Sequence, residues 1–145
     1  MDLFSLEGKN VAITGASSGF GHHFAGILSK ACANVLLGAR RIDKIDERVS
    51  EIKKAGGKAI ALPLDVRDSD SCQNFLVQGQ QTLGSIDVLI NNAGVEAGAK
   101  TYAMIDEDDW DYVFDTNLKS VWRLSKLYTE LVQKNAQTQG NIINI

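Results

Sequence analysis

A glycine-rich turn near the start of the chain has the residue types and spacing to bind a phosphate group. It follows an apolar run that predicts a strand and precedes a pattern that predicts a helix. A helix N-terminus offers unpaired N–H groups and a positive dipole end, which favour the pyrophosphate of a dinucleotide. The alternative, a plain strand–helix turn, would lose helix stability to its glycines without any gain. The predicted cofactor contacts in this turn are Thr14, Gly15, Ser17, Ser18, Gly19, Phe20 and Gly21.

Each glycine of this turn has a predicted task. Gly15 would allow the tight turn, and Gly19 would let the backbone approach the phosphate. Gly21 would let the helix pack closely on the strand.

A second candidate feature is a pair of arginines after the second predicted strand. An NAD-selective fold usually has an acidic residue there for the ribose 2′-hydroxyl, but this chain has Ala39, followed by Arg40 and Arg41. A guanidinium can bind a 2′-phosphate through two hydrogen bonds and can stack on adenine. The pair therefore favours NADP(H) over NAD(H), with Arg40 as the first candidate. The alternative is that both arginines are solvated residues before a helix.

Composition limits the other classes of function. The 145 residues suit one domain, and a net charge of −3 creates no field that would attract nucleic acid. The first residues do not resemble a signal peptide, and no apolar run is long enough for a membrane helix, so we expect a cytoplasmic protein. Cys32 and Cys72 fit no metal spacing and are predicted to be small buried hydrophobic residues.

The elements that would position these residues alternate between strand and helix. Short apolar runs predict strands at 10–14, 34–38, 58–62, 86–91 and 141–145. Amphipathic patterns predict helices at 19–30, 42–55, 69–83 and about 106–135. This alternation predicts an α/β, Rossmann-like, doubly wound parallel sheet with strand order 3-2-1-4-5. A ligand would bind in the crevice between strands 1 and 4, where the strand order reverses.

Side-chain patterns predict which helix faces are buried. Phe20 and Ile27 fall on the apolar face of the first helix. In the long fourth helix, Trp110, Phe114 and Trp122 are expected to pack in the core or in a subunit interface.

Four motifs, in this order, resemble those of the short-chain dehydrogenase/reductase family over nearly the whole chain. They are Thr14-Gly15-x-x-x-Gly19-x-Gly21, Asp65-Val66 after the third strand, Asn91-Asn92-Ala93-Gly94 after the fourth, and Asn117 in the long helix. The resemblance implies that Asp65 and Val66 contact the adenine end of the cofactor. It also implies that Asn91, Ala93 and Gly94 stabilise the sheet and line the cofactor ribose. Asn117 would be the catalytic asparagine, which kinks the helix and holds a water in a proton relay.

The family pattern also contains a serine after the fifth strand and a Tyr-x-x-x-Lys pair, which this sequence does not reach. Residues Tyr102, Tyr112 and Tyr128 have no lysine four places later. We therefore expect residues 1–145 to be a single NAD(P)-binding domain without the C-terminal catalytic and substrate-binding part, inactive alone. The parent would be an NADP(H)-dependent oxidoreductase acting on an unknown alcohol or carbonyl. The alternative is a non-catalytic nucleotide-binding or self-associating protein derived from that family.

A homo-oligomer is expected for two reasons. The resemblance implies that the long helix packs in a four-helix dimer interface. An unprotected fifth strand, with Ile142, Ile143 and Ile145, would also favour association.

Overall fold

The computed structural model describes residues 4–145, which form one five-stranded parallel sheet with flanking helices. The strand order is β3-β2-β1-β4-β5, so the predicted fold class and order are confirmed. The strands are β1 Asn10–Thr14, β2 Asn34–Ala39, β3 Lys58–Pro63, β4 Val88–Asn91 and β5 Asn141–Asn144. β1 pairs with β2 on one side and with β4 on the other, which places the reversal of strand order between β1 and β4.

Helices cover both faces of the sheet. They are α1 Gly19–Lys30, α2 Ile42–Lys54, α3 Ser69–Leu83, α4 Glu107–Phe114 and α5 Ser120–Lys134. A 3-10 turn spans Tyr102–Met104, and a π-helical turn, Asp115–Lys119, joins α4 to α5.

The strands divide their side chains between two cores, since successive residues of a strand point to opposite faces. Val11 and Ile13 of β1 pack with the buried residues of α1 and α2, such as Ala25 and Ile45. Ala12 packs instead with the residues of α3 and α5 on the other face, which are Cys72, Phe75, Leu76, Leu124 and Tyr128. The sheet is thus apolar on both faces, as a parallel sheet requires.

Polar side chains fix where two helices begin. Asp68 caps α3 and accepts hydrogen bonds from the N–H groups of Asp70 and Ser71, at 2.8 and 3.2 Å. Asp106 and Asp109 form a capping box at the start of α4. Both caps hold the chain at the carboxyl edge of the sheet, where loops from several strands meet.

Several details of the sequence prediction are wrong. The predicted 106–135 helix is interrupted by the π-helical turn, and β4 begins at Val88 rather than at residue 86. Cys32 is exposed, because it lies beyond the end of α1 in a left-handed turn with φ 71°. Cys72 is buried as predicted, and its burial raises the pKa of the thiol to about 11.

The predicted inner faces of two helices also need correction. Phe20 is 70% exposed because it lies in the first turn of α1 at the mouth of a cleft, and Ile27 is also exposed. Trp110, Phe114 and Trp122 are exposed, so they are not core residues in this chain. The buried face of α5 carries Ser120, Leu124 and Tyr128, four residues apart, which leaves Trp122 on the opposite side.

Two further properties concern the described residues, 4–145. None of their helices combines the length and apolarity that a membrane crossing needs. Within the same range, no group of three or more His, Cys, Asp or Glu side chains is placed to hold a metal ion. Along β5, Ile142 and Ile143 are exposed.

Candidate functional site

A cleft of about 640 Å³ lies at the carboxyl ends of β1 to β4, where the strand order reverses. This volume is typical of a small-molecule site, and the position is where open α/β sheets bind ligands. The cleft brings together ten of the predicted cofactor residues: Gly15, Ser17, Ser18, Gly19, Phe20, Arg40, Asp65, Val66, Ala93 and Gly94. It also includes residues that the sequence interpretation did not assign to the site: Ala39, Leu64, Arg67, Asn92, Val95 and Thr116.

The glycine turn is packed too closely for side chains at two positions. A Cβ on Gly15 would lie 2.7 Å from the Cα of Ala93, and Gly15 has a φ of 66°. A Cβ on Gly21 would lie 2.5 Å from the Gly15 carbonyl oxygen. Real Cβ atoms do not approach so closely. The backbone after β1 can therefore meet the loop after β4 only because residue 15 is glycine, and α1 can pack against the turn after β1 only because residue 21 is glycine.

The N-terminus of α1 opens onto the cleft. Ser18, its N-cap residue, has extended backbone angles, and within the described chain its side chain makes no capping hydrogen bond to the helix. A Cβ on Gly19 would meet no atom within 4 Å, so the approach to this end of the helix is open. The first N–H groups of a helix and its dipole favour an anion at this place.

Thr14 ties this turn to the loop after β4. Its buried hydroxyl oxygen accepts hydrogen bonds from the backbone N–H groups of Asn92 and Ala93, at 3.0 and 2.9 Å. The amide group of Asn92 donates in return to the Thr14 carbonyl oxygen at 2.9 Å. Thr14 therefore positions the cleft wall instead of lining the cleft.

Asn91 has a similar supporting place. It is buried, and its Nδ2 donates to the Ser125 hydroxyl oxygen at 3.2 Å and to the Asn144 side-chain oxygen at 2.9 Å. These bonds connect β4 to α5 and β5. The sheet-stabilising role that the resemblance implies for Asn91 is consistent with this geometry.

Asn117 lies in the π-helical turn and holds the far wall of the cleft. Its Oδ1 accepts from the Val95 N–H, and its Nδ2 donates to the Val95 carbonyl oxygen, both at 2.8 Å. The turn replaces the ordinary i→i+4 pattern, and the Ser120 hydroxyl donates to the Thr116 carbonyl oxygen at 2.5 Å. The asparagine side chain thus orders the loop that carries Gly94 and Val95.

Asp65 is an ionised carboxylate at the border of the cleft. Its partial burial opposes ionisation, but hydrogen bonds from the side chain and backbone of Arg67 outweigh this effect and hold the pKa of Asp65 below its usual value. The Arg67 backbone N–H donates to Oδ1 at 3.0 Å, and its Nη2 lies 3.2 Å from Oδ2. The guanidinium also lies over the ring of Tyr112, 5.1 Å from its centroid.

The two arginines after β2 both line the cleft, at different places. Nη2 of Arg41 donates to the hydroxyl oxygens of Ser17 and Ser18, at 2.9 and 3.0 Å, so its charge lies beside the glycine turn. Arg40 lines the cleft too, and its charge contributes to the lowered pKa of Asp65. With Arg67, the cleft has three arginines and one aspartate on its border, which suits a ligand with several phosphates.

Replacing Thr14 with valine is expected to lower the free energy of unfolding by about 1 to 3 kcal/mol, because two partly buried N–H groups would lose their acceptor. Chemical denaturation measures this loss. Thr14→Ser keeps the hydroxyl and should lose much less. Thr82→Val is the control, since Thr82 is an exposed threonine on α3 whose hydroxyl donates to the Gln78 carbonyl oxygen of the same helix, and it should change stability by no more than about 0.5 kcal/mol. Equal losses of stability in the Thr14 and Thr82 variants would contradict a stabilising role for the hydrogen bonds between Thr14 and the loop after β4.

Comparison with known proteins agrees with this fold. The family model described as short chain dehydrogenase matches residues 9–145. A ketoacyl reductase, HetN, from Nostoc sp. is 38% identical over 99% of this chain and 49% of its own length. A 3-oxoacyl-[acyl-carrier-protein] reductase, FabG, from Thermotoga maritima is 35% identical over 97% of the chain and 56% of its own length.

A solved structure is also similar to this chain, both in sequence and in fold. A metagenomic short-chain oxidoreductase in complex with NADP superposes with a TM-score of 0.87 at 33% identity, covering 96% of this chain and 62% of that one. The chain thus spans about half the length of the curated relatives that it matches. From the family model, the relatives and the shared fold, we conclude that the chain belongs to the short-chain dehydrogenase/reductase family.

Proposed function

We propose that this chain binds NADP(H) in the cleft between β1 and β4 and forms the nucleotide-binding part of an oxidoreductase that transfers a hydride between the nicotinamide and an alcohol or carbonyl compound. One observation carries the proposal. The N-terminus of α1, which has no side-chain cap, opens onto the cleft at Gly19, while Gly15 and Gly21 of the same turn are packed too closely to carry a side chain. Binding of NADP by the metagenomic relative supports the choice of cofactor.

The proposed contacts run from the adenine of the cofactor to the ribose on its nicotinamide side. The pyrophosphate would bind at the N-terminus of α1, and the adenine would lie beside Asp65 and Val66. Ala93 and Gly94 would line the ribose on the nicotinamide side. The bound nicotinamide would supply or accept the hydride, while the amide of Asn117 keeps the adjoining loop in place through Val95. We retain Asn117 as the proposed member of the proton relay.

The preference for NADP(H) is proposed from the arginines. Arg41 is held beside Ser17 and Ser18, so its charge lies at the glycine turn, although Ser18 itself is not the basic residue that some NADP-using members of the family have there. Arg40 lies near the adenine end, since its charge acts on Asp65. Two guanidinium groups at these places would bind a 2′-phosphate better than a hydroxyl group.

Titration of this chain with NADPH and NADH, followed by calorimetry, tests both parts of the proposal. Arg40→Met and Arg41→Met, which keep an apolar stem and remove the charge, should each weaken NADPH binding by about 10- to 100-fold, because a hydrogen bond to a charged group is lost. NADH binding should change by less than about threefold, since it has no 2′-phosphate. Lys54→Ala, an exposed cation at the far end of α2, is the control and should leave both affinities unchanged.

Two results would count against the proposal in different ways. Equal losses for NADPH and NADH in both arginine variants would refute recognition of the 2′-phosphate. Absence of saturable binding of either dinucleotide to the unaltered chain would refute the binding function itself.

We also propose that the protein is a homo-oligomer that associates through the long helix, which is the continuous helical segment of α4, the π-helical turn and α5. Trp110, Phe114, Leu118 and Trp122 are exposed and four residues apart. In a regular α-helix, rotation by about 100° per residue would turn Trp122 about 120° away from Trp110. The π-helical turn absorbs roughly one extra residue, which returns the four side chains to one face. A continuous apolar stripe of this kind is typical of an interaction surface.

Leu118→Glu is expected to shift the chain from dimer to monomer in light scattering at a matched concentration, since it places a charge in the centre of the stripe. Gln73→Glu adds the same charge at an exposed position on α3 and should leave the mass unchanged. A monomeric unaltered chain at the highest soluble concentration would contradict association through this surface.

A further inference from the structure

The loop between β3 and α3 borders the adenine side of the cleft, and two kinds of contact hold it. Local contacts come from α3: the Ser71 hydroxyl accepts from the Asp65 N–H at 3.0 Å, and the Cys72 thiol lies 3.5 Å from the Val66 carbonyl oxygen. Contacts that are distant in sequence come from α4 and α5. These distant contacts are the ones that the proposed cofactor function does not explain.

The stronger distant contact is made by Arg123 of α5. Its Nη1 donates to the Val66 carbonyl oxygen at 2.7 Å, across 57 positions of sequence. The distance is short, as expected for a charged donor, and the arginine is half-buried. Val66 itself is buried and lines the cleft. The bond therefore fixes the backbone at the centre of the adenine loop from outside that loop.

A second contact supports the same loop from α4. The guanidinium of Arg67 lies over the Tyr112 ring and is paired with Asp65. Arg67 therefore limits the directions in which the Asp65 carboxylate can point. The two contacts come from residues on either side of the π-helical turn, so one helical segment holds both the adenine loop and, through Asn117, the loop at Val95.

We propose that Arg123 is a positioning residue for cofactor recognition: by holding the Val66 carbonyl group, it keeps Asp65 and Val66 directed at the adenine ring. This inference rests on the proposed function, since it concerns the adenine end of the dinucleotide. Arg123 acts through the backbone of Val66 and is not expected to contact the cofactor itself. Its loss should therefore affect discrimination at the adenine edge more than binding of the phosphates.

The test compares NADPH with its hypoxanthine analogue, reduced nicotinamide hypoxanthine dinucleotide phosphate. Adenine offers an amino group to the Asp65 carboxylate, whereas hypoxanthine has a carbonyl oxygen at that place. The unaltered chain should therefore prefer NADPH. Arg123→Met should weaken NADPH binding by about five- to tenfold, the equivalent of one ordinary hydrogen bond, and binding of the analogue by less than about twofold.

Two further variants complete the experiment. Arg123→Lys keeps a charged donor and should recover most of the preference for adenine. Lys126→Met, an exposed cation on the same helix, is the matched control and should leave both affinities unchanged. Thermal unfolding of each variant, followed by circular dichroism, reports any general loss of structure.

The possible failures are distinguishable. Unchanged affinities in Arg123→Met, or equal losses for both dinucleotides, would overturn the positioning role while leaving the proposed function in place. If the unaltered chain bound neither dinucleotide, the proposed function would fail, and the positioning role with it.

Discussion

The close contact between the end of β1 and the end of β4 is the constraint on which the site depends. A Cβ on Gly15 would lie only 2.7 Å from the Cα of Ala93, and the Thr14 hydroxyl accepts from two backbone N–H groups of the neighbouring loop. The first turn of α1 follows this contact directly and opens onto the cleft. Because the strand order of this parallel sheet reverses between β1 and β4, the loops after these two strands diverge and leave a crevice. The glycines after β1 have no side chains that could fill it.

The long helix is the second organising element, because it holds the cleft from one side. In its π-helical turn, the Asn117 side chain donates a hydrogen bond to the Val95 carbonyl oxygen. In α5, which follows, Arg123 donates a hydrogen bond to the Val66 carbonyl oxygen. The π-helical turn also lies within a row of exposed apolar side chains that runs from Trp110 to Trp122 on the outer face. One local departure from regular helix geometry therefore serves both the cleft wall and the exposed surface.

Much of the fold could be predicted from the sequence, since hydrophobic period and glycine position depend on neighbouring residues. The bounds of α1 and α3, for example, follow from the glycine turn and from the Asp68 cap. The rest depends on contacts between distant residues. Nothing local shows that Asn117 pairs with Val95, that Arg123 reaches Val66, or that Arg41 rather than its neighbour bonds Ser17. The prediction that Cys32 is buried is wrong because a left-handed backbone conformation after a helix is typical of glycine, and the sequence has cysteine there.

In the proposed function, backbone N–H groups at the start of α1 bind the pyrophosphate of a dinucleotide. The most direct measurement is a titration of the ¹⁵N-labelled chain with NADPH, followed through its amide chemical shifts. The largest shift changes are expected at residues 15–21, with smaller ones at 65–67 and 92–95. Saturable binding whose shift changes lie elsewhere on the fold, or shifts that do not move at all, would contradict this binding.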